Sequence, residues 1–175
     1  QNRFVKEGWG GLKEVWTTDL MDGYELSSNS DILTGGRYRP LALSIHIAEQ
    51  ESHGNNPAWG HFLNAFLYGI TGLVCFWFFI RLFSGLSPGL RTIAAASAAI
   101  FYVVHPLHTE VVANIRNRDE MLAGILGLSG ILFFLRYIKS KNLISLMAGA
   151  LMFFLAFVTK ESSLNYLGLL ILTLW

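Results

Sequence analysis

Charge is scarce in this chain, and so is cysteine. Only 14% of its 175 residues are Asp, Glu, Lys or Arg, where a soluble domain carries roughly a quarter. That is too little charge to cover a globule of this size. The single cysteine, Cys75, excludes a disulfide scaffold; set inside an apolar run, it carries no information about redox compartment. A net charge of +1 with no basic run excludes a nucleic-acid binder. With 53% hydrophobic residues and a mean hydropathy of +0.44, disorder and a collagen-like fibre are excluded as well. No P-loop, Gly-x-Gly-x-x-Gly, Gly-x-Ser-x-Gly or zinc-ribbon pattern is present, so soluble-type cofactor chemistry has no support. What remains is an all-α polytopic membrane protein with one wet segment.

The distances between charges give the map, because a span needs about 20 mostly apolar residues. No charged residue occurs from Ala58 to Ile80, and Trp59 and Trp77 stand near the ends, where aromatic belts form. Further spans are expected over about 92–105, 119–138, 142–159 and 164–175, the second rich in alanines that suit close helix packing in lipid. The division is therefore an extramembrane segment, 1–57, and a transmembrane bundle, 58–175. Gln1 follows no initiator Met and the last span stops at Trp175, so the sequence reads as cut at both ends.

Residues 1–57 hold eight of the twelve acids and the Gly10-Gly11 and Gly35-Gly36 turns. Two short interfacial helices are predicted there, Gly11 to Trp16 and Pro40 to Glu51. Pro40 suits a first helical turn, and Leu41, Ile45 and Ala48 are expected to share the apolar face of the second. Arg81 and Arg91 follow the first span, and Arg136, Lys139 and Lys141 follow the third, with no acid in either loop. By the positive-inside rule both loops are cytoplasmic. Segments 1–57, His105 to Glu120 and Lys160-Glu161 then face the other side, and all twelve acids fall there.

That outer boundary carries the polar chemistry. If the chain runs as helix beyond Pro106, then Glu110, Asn114, Asn117 and Met121 form one stripe, and Arg116 meets Asp119 and Glu120 at i+3 and i+4. So polar a helix beside a bilayer fits a wet cleft; equally, it fits an interfacial helix whose charges meet water. His105, His108 and Glu110 could hold a divalent cation, with His61 joining in space, or the histidines could be hydrogen-bonded boundary residues. Lys160-Glu161 reads either as a turn or as a contact to an anionic headgroup. Arg39, at the start of a helix, calls for an anion or for one of the acids of its own segment. Asp19 and Asp22 are candidate carboxylates for acid–base work among turn residues where Asp is common.

Five separated pieces occur in a fixed order: Tyr38-Arg39-Pro40-Leu41, Gly60-His61-Phe62-Leu63-Asn64, His105-Pro106-Leu107-His108-Thr109-Glu110 continuing to Asn114, Arg118-Asp119-Glu120-Met121, and Lys160-Glu161-Ser162. Together they resemble the membrane part of the transmembrane and tetratricopeptide-repeat O-mannosyltransferases and their bacterial relatives, in the GT-C superfamily. The resemblance covers about Phe4 to Ser162, and the His-Pro-x-His-Thr-Glu run is its most specific piece. It implies a GT-C-like helix bundle that transfers a sugar, typically mannose, with inversion. The donor would be a polyprenyl-phosphate sugar and the acceptor a hydroxyl, on protein Ser/Thr or another molecule, on the non-cytoplasmic face. The placement implied is a bacterial inner membrane, or alternatively the endoplasmic reticulum membrane, with residues 1–57 outside the cytoplasm.

On this resemblance the catalytic acidic pair is expected in a span before Gln1, and tetratricopeptide repeats after the later spans. Arg116, Arg118, Lys160 and Arg39 would face the donor phosphate. His105, His108, Glu110, Asn114, Asp119, Glu120, Glu161 and His61 would shape the cleft, and a divalent ion is optional. The alternative reading is a non-catalytic membrane scaffold whose outer segment binds a partner or lipid. An acidic pair upstream discriminates in favour of the enzyme. A transporter ranks last, because no paired broken spans signal an inverted repeat.

Overall fold

The computed structural model describes residues 2–18, 38–54, 56–114 and 117–174; Asp19, Asp22 and Arg116 lie outside them. Among the described residues every regular element is a helix. Two short helices open the chain, α1 (Arg3–Lys6) and α2 (Leu12–Val15), joined by a 3-10 turn over Gly8–Gly11. Asn2 caps α1 by accepting from the Phe4 N–H. The third helix, α3 (Pro40–His53), starts on its proline and ends at Gly54, whose φ of +63° is a conformation that favours glycine.

These three helices enclose a small core of Phe4, Val5, Val15, Leu43 and Ile47. The predicted face of α3 is thereby corrected. Its buried stripe is Pro40, Leu43 and Ile47, with Ala42 beside it, whereas Leu41, Ile45 and Ala48 are only partly buried. The i, i+3, i+7 spacing of 40, 43 and 47 meets Phe4 and Val5, and α3 also approaches α7 and α8 of the bundle, so its remaining flanks are half covered too.

The bundle begins with α4 (Pro57–Leu82), capped by the Asn56 side chain. Gly60, Asn64, Thr71, Cys75 and Phe78 form its buried stripe, while Phe62, Phe66, Leu73 and Trp77 form an equally apolar exposed one. A helix that is apolar on both its packed and its open side belongs in lipid. Next come α5 (Pro88–Val103), then a 3-10 turn (Pro106–His108) and the short α6 (Thr109–Ala113), bent by 52° from α5. After the break, α7 (Arg118–Ser140) and α8 (Leu143–Thr159) return as an antiparallel pair about Lys141, which closes α7 in the left-handed region at φ +52°. A 3-10 turn (Glu161–Leu164) leads to α9 (Asn165–Leu174).

Small residues let α7 and α8 approach closely. A Cβ at Gly130 would lie 2.9 Å from the Phe153 ring, and one at Gly149 would lie 2.9 Å from the Phe134 ring. Each glycine thus receives an aromatic ring of the other helix.

By length and composition two described helices can cross a membrane alone: α4 with 26 residues and α7 with 23. At 1.5 Å per residue they reach about 39 and about 35 Å, enough for a hydrocarbon core of about 30 Å. The bent pair of α5 and the segment Pro106–Ala113 gives a third if counted as one span, and α8, at 17 residues, is shorter. The count expected from charge spacing was five. Proline and extended residues shorten the apolar helices: Ser87 is extended before Pro88, His105 before Pro106, and Lys160 after α8.

Candidate functional site: a charged rim at one end of the bundle

Five separate segments meet where α7 begins. Arg118, the first residue of α7, has only 1% of its surface exposed. Its Nε donates to Asn64 Oδ1 of α4 at 3.0 Å, and its Nη2 donates to Glu49 Oε1 of α3 at 3.3 Å and to the Gly60 carbonyl at 3.4 Å. Its Nη1 pairs with the other Glu49 oxygen. Asn64 in turn donates from Nδ2 to the carbonyls of Val112 and Asn114, each at 3.1 Å. An amide in an apolar helix is costly unless it is bonded, and this one holds the backbone between α6 and α7.

The next residue of α7 points to a second cation. Arg39, just before α3, donates from Nη1 to Asp119 Oδ2 at 2.6 Å, and from Nε and Nη2 to Glu161 Oε2 at 3.2 and 3.1 Å. Lys160 pairs with Glu120 and stands 3.8 Å from Asp119 Oδ2. Asp119 and Glu120 also lie in the first turn of α7, where the helix dipole favours negative charge. Four carboxylates, Glu49, Asp119, Glu120 and Glu161, therefore meet three cations, Arg39, Arg118 and Lys160. One Glu161 oxygen, Oε1, is buried with no hydrogen-bond partner among the described residues.

This geometry sorts the residues named from sequence. Arg39, Arg118, Lys160, Asp119, Glu120 and Glu161 come together, and Asn114 joins them through its backbone carbonyl. Arg118, expected at the donor phosphate, is buried here, with its guanidinium on Glu49, Asn64 and the Gly60 carbonyl. Arg39 pairs with carboxylates, though with Asp119 and Glu161 rather than with an acid of its own segment. The continuous helix from Glu110 to Met121 is not formed, because Asn114 is extended at φ −97°, ψ +112° and Asn117 also lies outside α7. The Asn64 bonds to the carbonyls at 112 and 114 hold that break open.

The histidines do other work. His105 Nδ1 accepts from the Leu107 N–H and so starts the 3-10 turn. His108 packs on Tyr102 at 4.3 Å between ring centroids. Partial burial, with His105 adding to it, lowers the His108 pKa below the usual imidazole value. Glu110 and His61 are exposed. Among the described residues no three His, Cys, Asp or Glu side chains gather as metal ligands; the trio His105, His108 and Glu110 does not converge, because the two rings turn to aromatic and backbone neighbours.

Two members were not singled out from sequence for this role, Glu49 and Asn64. A lone amide among the apolar residues of α4 is the signal that marks Asn64. Glu49 carries no local signal, being 69 residues from its partner.

Fold and rim together define an all-α membrane protein with a polar, ion-paired rim over an apolar bundle. Comparison with curated proteins then supplies the family. Human protein O-mannosyl-transferase TMTC4 is 30% identical over 90% of this chain, and its mouse counterpart 29% over the same share. Drosophila melanogaster protein O-mannosyl-transferase Tmtc1 is 26% identical over 88%. The chain spans 23%, 23% and 16% of those proteins' own lengths. No family model matches it, and no solved structure does. The chain belongs to the TMTC family of protein O-mannosyltransferases, of which it covers one membrane segment.

Proposed function

We propose that the charged rim is the donor-phosphate side of a transferase site that moves mannose from a polyprenyl-phosphate carrier to a Ser or Thr hydroxyl of a protein, on the non-cytoplasmic face. The convergence of Arg39 and Lys160 on Asp119, Glu120 and Glu161 supports this reading. It puts mobile cationic chemistry at the mouth of an apolar bundle able to take a prenyl tail. In the reaction the acceptor oxygen bonds to the anomeric carbon with inversion, and the bond from that carbon to the phosphate oxygen breaks. Polyprenyl phosphate leaves, and the hydroxyl proton passes to a carboxylate base.

The developing phosphate charge calls for a pre-placed cation. Lys160 is the residue able to supply it. Its partner Glu120 is half exposed, with a side-chain relative accessibility of 45% against 15% for Lys160, so a phosphate can approach the ammonium from the Glu120 side. Arg39 is held by two carboxylates and positions them. The deciding experiment uses the full-length protein in membranes. Lys160→Ala should lower sugar transfer by about 100-fold, and Lys160→Arg should keep most of it, with insertion unchanged in both. Wild-type transfer by Lys160→Ala would overturn the assignment.

The closed pairing of the cations also favours a second reading, a non-catalytic scaffold in which the rim only latches α3 to the bundle. On that reading the wild-type full-length protein itself transfers no sugar.

A further inference from the structure

We propose that the opposite end of the bundle holds an anionic phospholipid, its phosphate between Arg81 and Arg136 and its acyl chain against Trp77, Leu132 and Phe133. A cavity of about 220 Å³ opens there between α4 and α7, lined by these five residues and Ser129. Two stripes face one another across it: Trp77 and Arg81 at i, i+4 on α4, and Ser129, Leu132, Phe133 and Arg136 at i, i+3, i+4, i+7 on α7. Both stripes are layered alike. Each arginine is exposed and comes last in its stripe, toward the C-terminal end of its helix, and the apolar groups and the serine precede it, by up to about 10 Å along α7. An ionic head with an apolar tail has the same order of layers.

The charge at this end is uncompensated. The sequence has no Asp or Glu between Glu51 and Glu110, nor between Glu120 and Glu161. Neither Arg81 nor Arg136 has an ion pair or side-chain hydrogen bond among the described residues, and the Ser129 hydroxyl has no partner either. Arg91 in the first turns of α5, Lys139 in the last turn of α7 and Lys141 just after it add further positive charge. At the other end Arg39, Arg118 and Lys160 are each paired with a carboxylate. Two unpaired guanidiniums at one cavity mouth repel each other unless an anion lies between them, and Arg suits a phosphate through its forked donors. Since these loops are the cytoplasmic ones by the positive-inside rule, the anion closest to hand is an acidic lipid of that leaflet, toward which basic juxtamembrane residues are drawn. This inference does not rest on the transferase reading, whose site is at the far rim.

The test uses the full-length protein purified in detergent, with native mass spectrometry to count retained lipid. Phosphatidylglycerol is the probe and phosphatidylcholine the control, and inorganic phosphate is added as a competitor. The wild type should retain phosphatidylglycerol over phosphatidylcholine. The double variant Arg81→Gln, Arg136→Gln should lose that preference about tenfold while sugar transfer stays at the wild-type level. Trp77→Ala should weaken retention of both lipids. Equal retention of the two lipids by the wild type, or an unchanged preference in the double variant, would overturn the proposal. Displacement of phosphatidylglycerol by millimolar inorganic phosphate would do so as well, by marking a site for free anions.

Discussion

Arg118 and Glu49 form a buried ion pair that ties the first residue of α7 to the last turns of α3. The pair joins α7 to α3 across 69 residues of sequence. Asn64 supports it from α4, so three elements are fixed at one point, and the rim's geometry depends on it.

Removing one partner leaves the other charged and buried. Arg118→Met or Glu49→Leu alone should therefore destabilise the fold by about 3–5 kcal/mol. The double variant, with both charges replaced by apolar side chains, should recover most of that loss. Thermal denaturation in detergent reads both. Additive losses in the double variant would show that the two residues do not act as a pair.

Asn64 gives a second prediction. Asn64→Leu strips the donor from the carbonyls of Val112 and Asn114 and the acceptor from Arg118 Nε. Each orphaned buried group costs about 1–3 kcal/mol. Hydrogen exchange should rise across Val111 to Asp119 while the middle of α7 stays protected. Unchanged exchange there would mean that the break is held by something else.

Close packing of α7 on α8 gives a third. Gly130→Val and Gly149→Val each force an aromatic ring of the facing helix to move, since a Cβ alone would stand 2.9 Å from it. Overpacking of this kind costs about 1–3 kcal/mol. Phe153→Leu should relieve the first variant and leave the second unrelieved, and Phe134→Leu the reverse. Melting temperatures of the single and double variants decide between this pairing and a general intolerance of bulk.

Much of the bundle was legible because its boundaries are marked locally. Pro40, Pro57 and Pro88 each begin a helix, as their fixed φ and missing N–H favour. Uncharged runs announced the apolar helices: the stretch expected over 58–80 is Pro57–Leu82, and that expected over 119–138 is Arg118–Ser140. The rim was legible only in part. Arg39, Lys160, Asp119, Glu120 and Glu161 stood out as boundary charges, yet their pairing spans 40 to 122 residues and follows no local spacing. The break after Ala113 was misread as helix because its cause lies in Asn64, 50 residues from Asn114. Periodicity reports what a segment prefers alone; this segment is shaped by a side chain from another helix.

The separation of charge between the two ends gives the last prediction, and it concerns topology. Ser84 follows α4, and Ser140 ends α7; both belong to the connections that hold Arg and Lys without acids. Ser52 lies near the end of α3, beside Glu49 and Glu51. In a Cys75→Ser background, which removes the lone thiol, Ser52→Cys, Ser84→Cys and Ser140→Cys should fall into two accessibility classes. A membrane-impermeant maleimide added to sealed vesicles should label Ser84→Cys and Ser140→Cys together, and Ser52→Cys only in vesicles of the opposite orientation. The expectation follows if α4 and α7, both long and apolar enough to span, keep their basic ends on the side where Arg and Lys are retained. If Ser84→Cys and Ser140→Cys react from opposite sides, then Arg81 and Arg136 cannot share a cavity in the membrane. If Ser52→Cys reacts from the same side as both, then α4 does not span, and the ion-paired rim would lie on the same side as the basic loops.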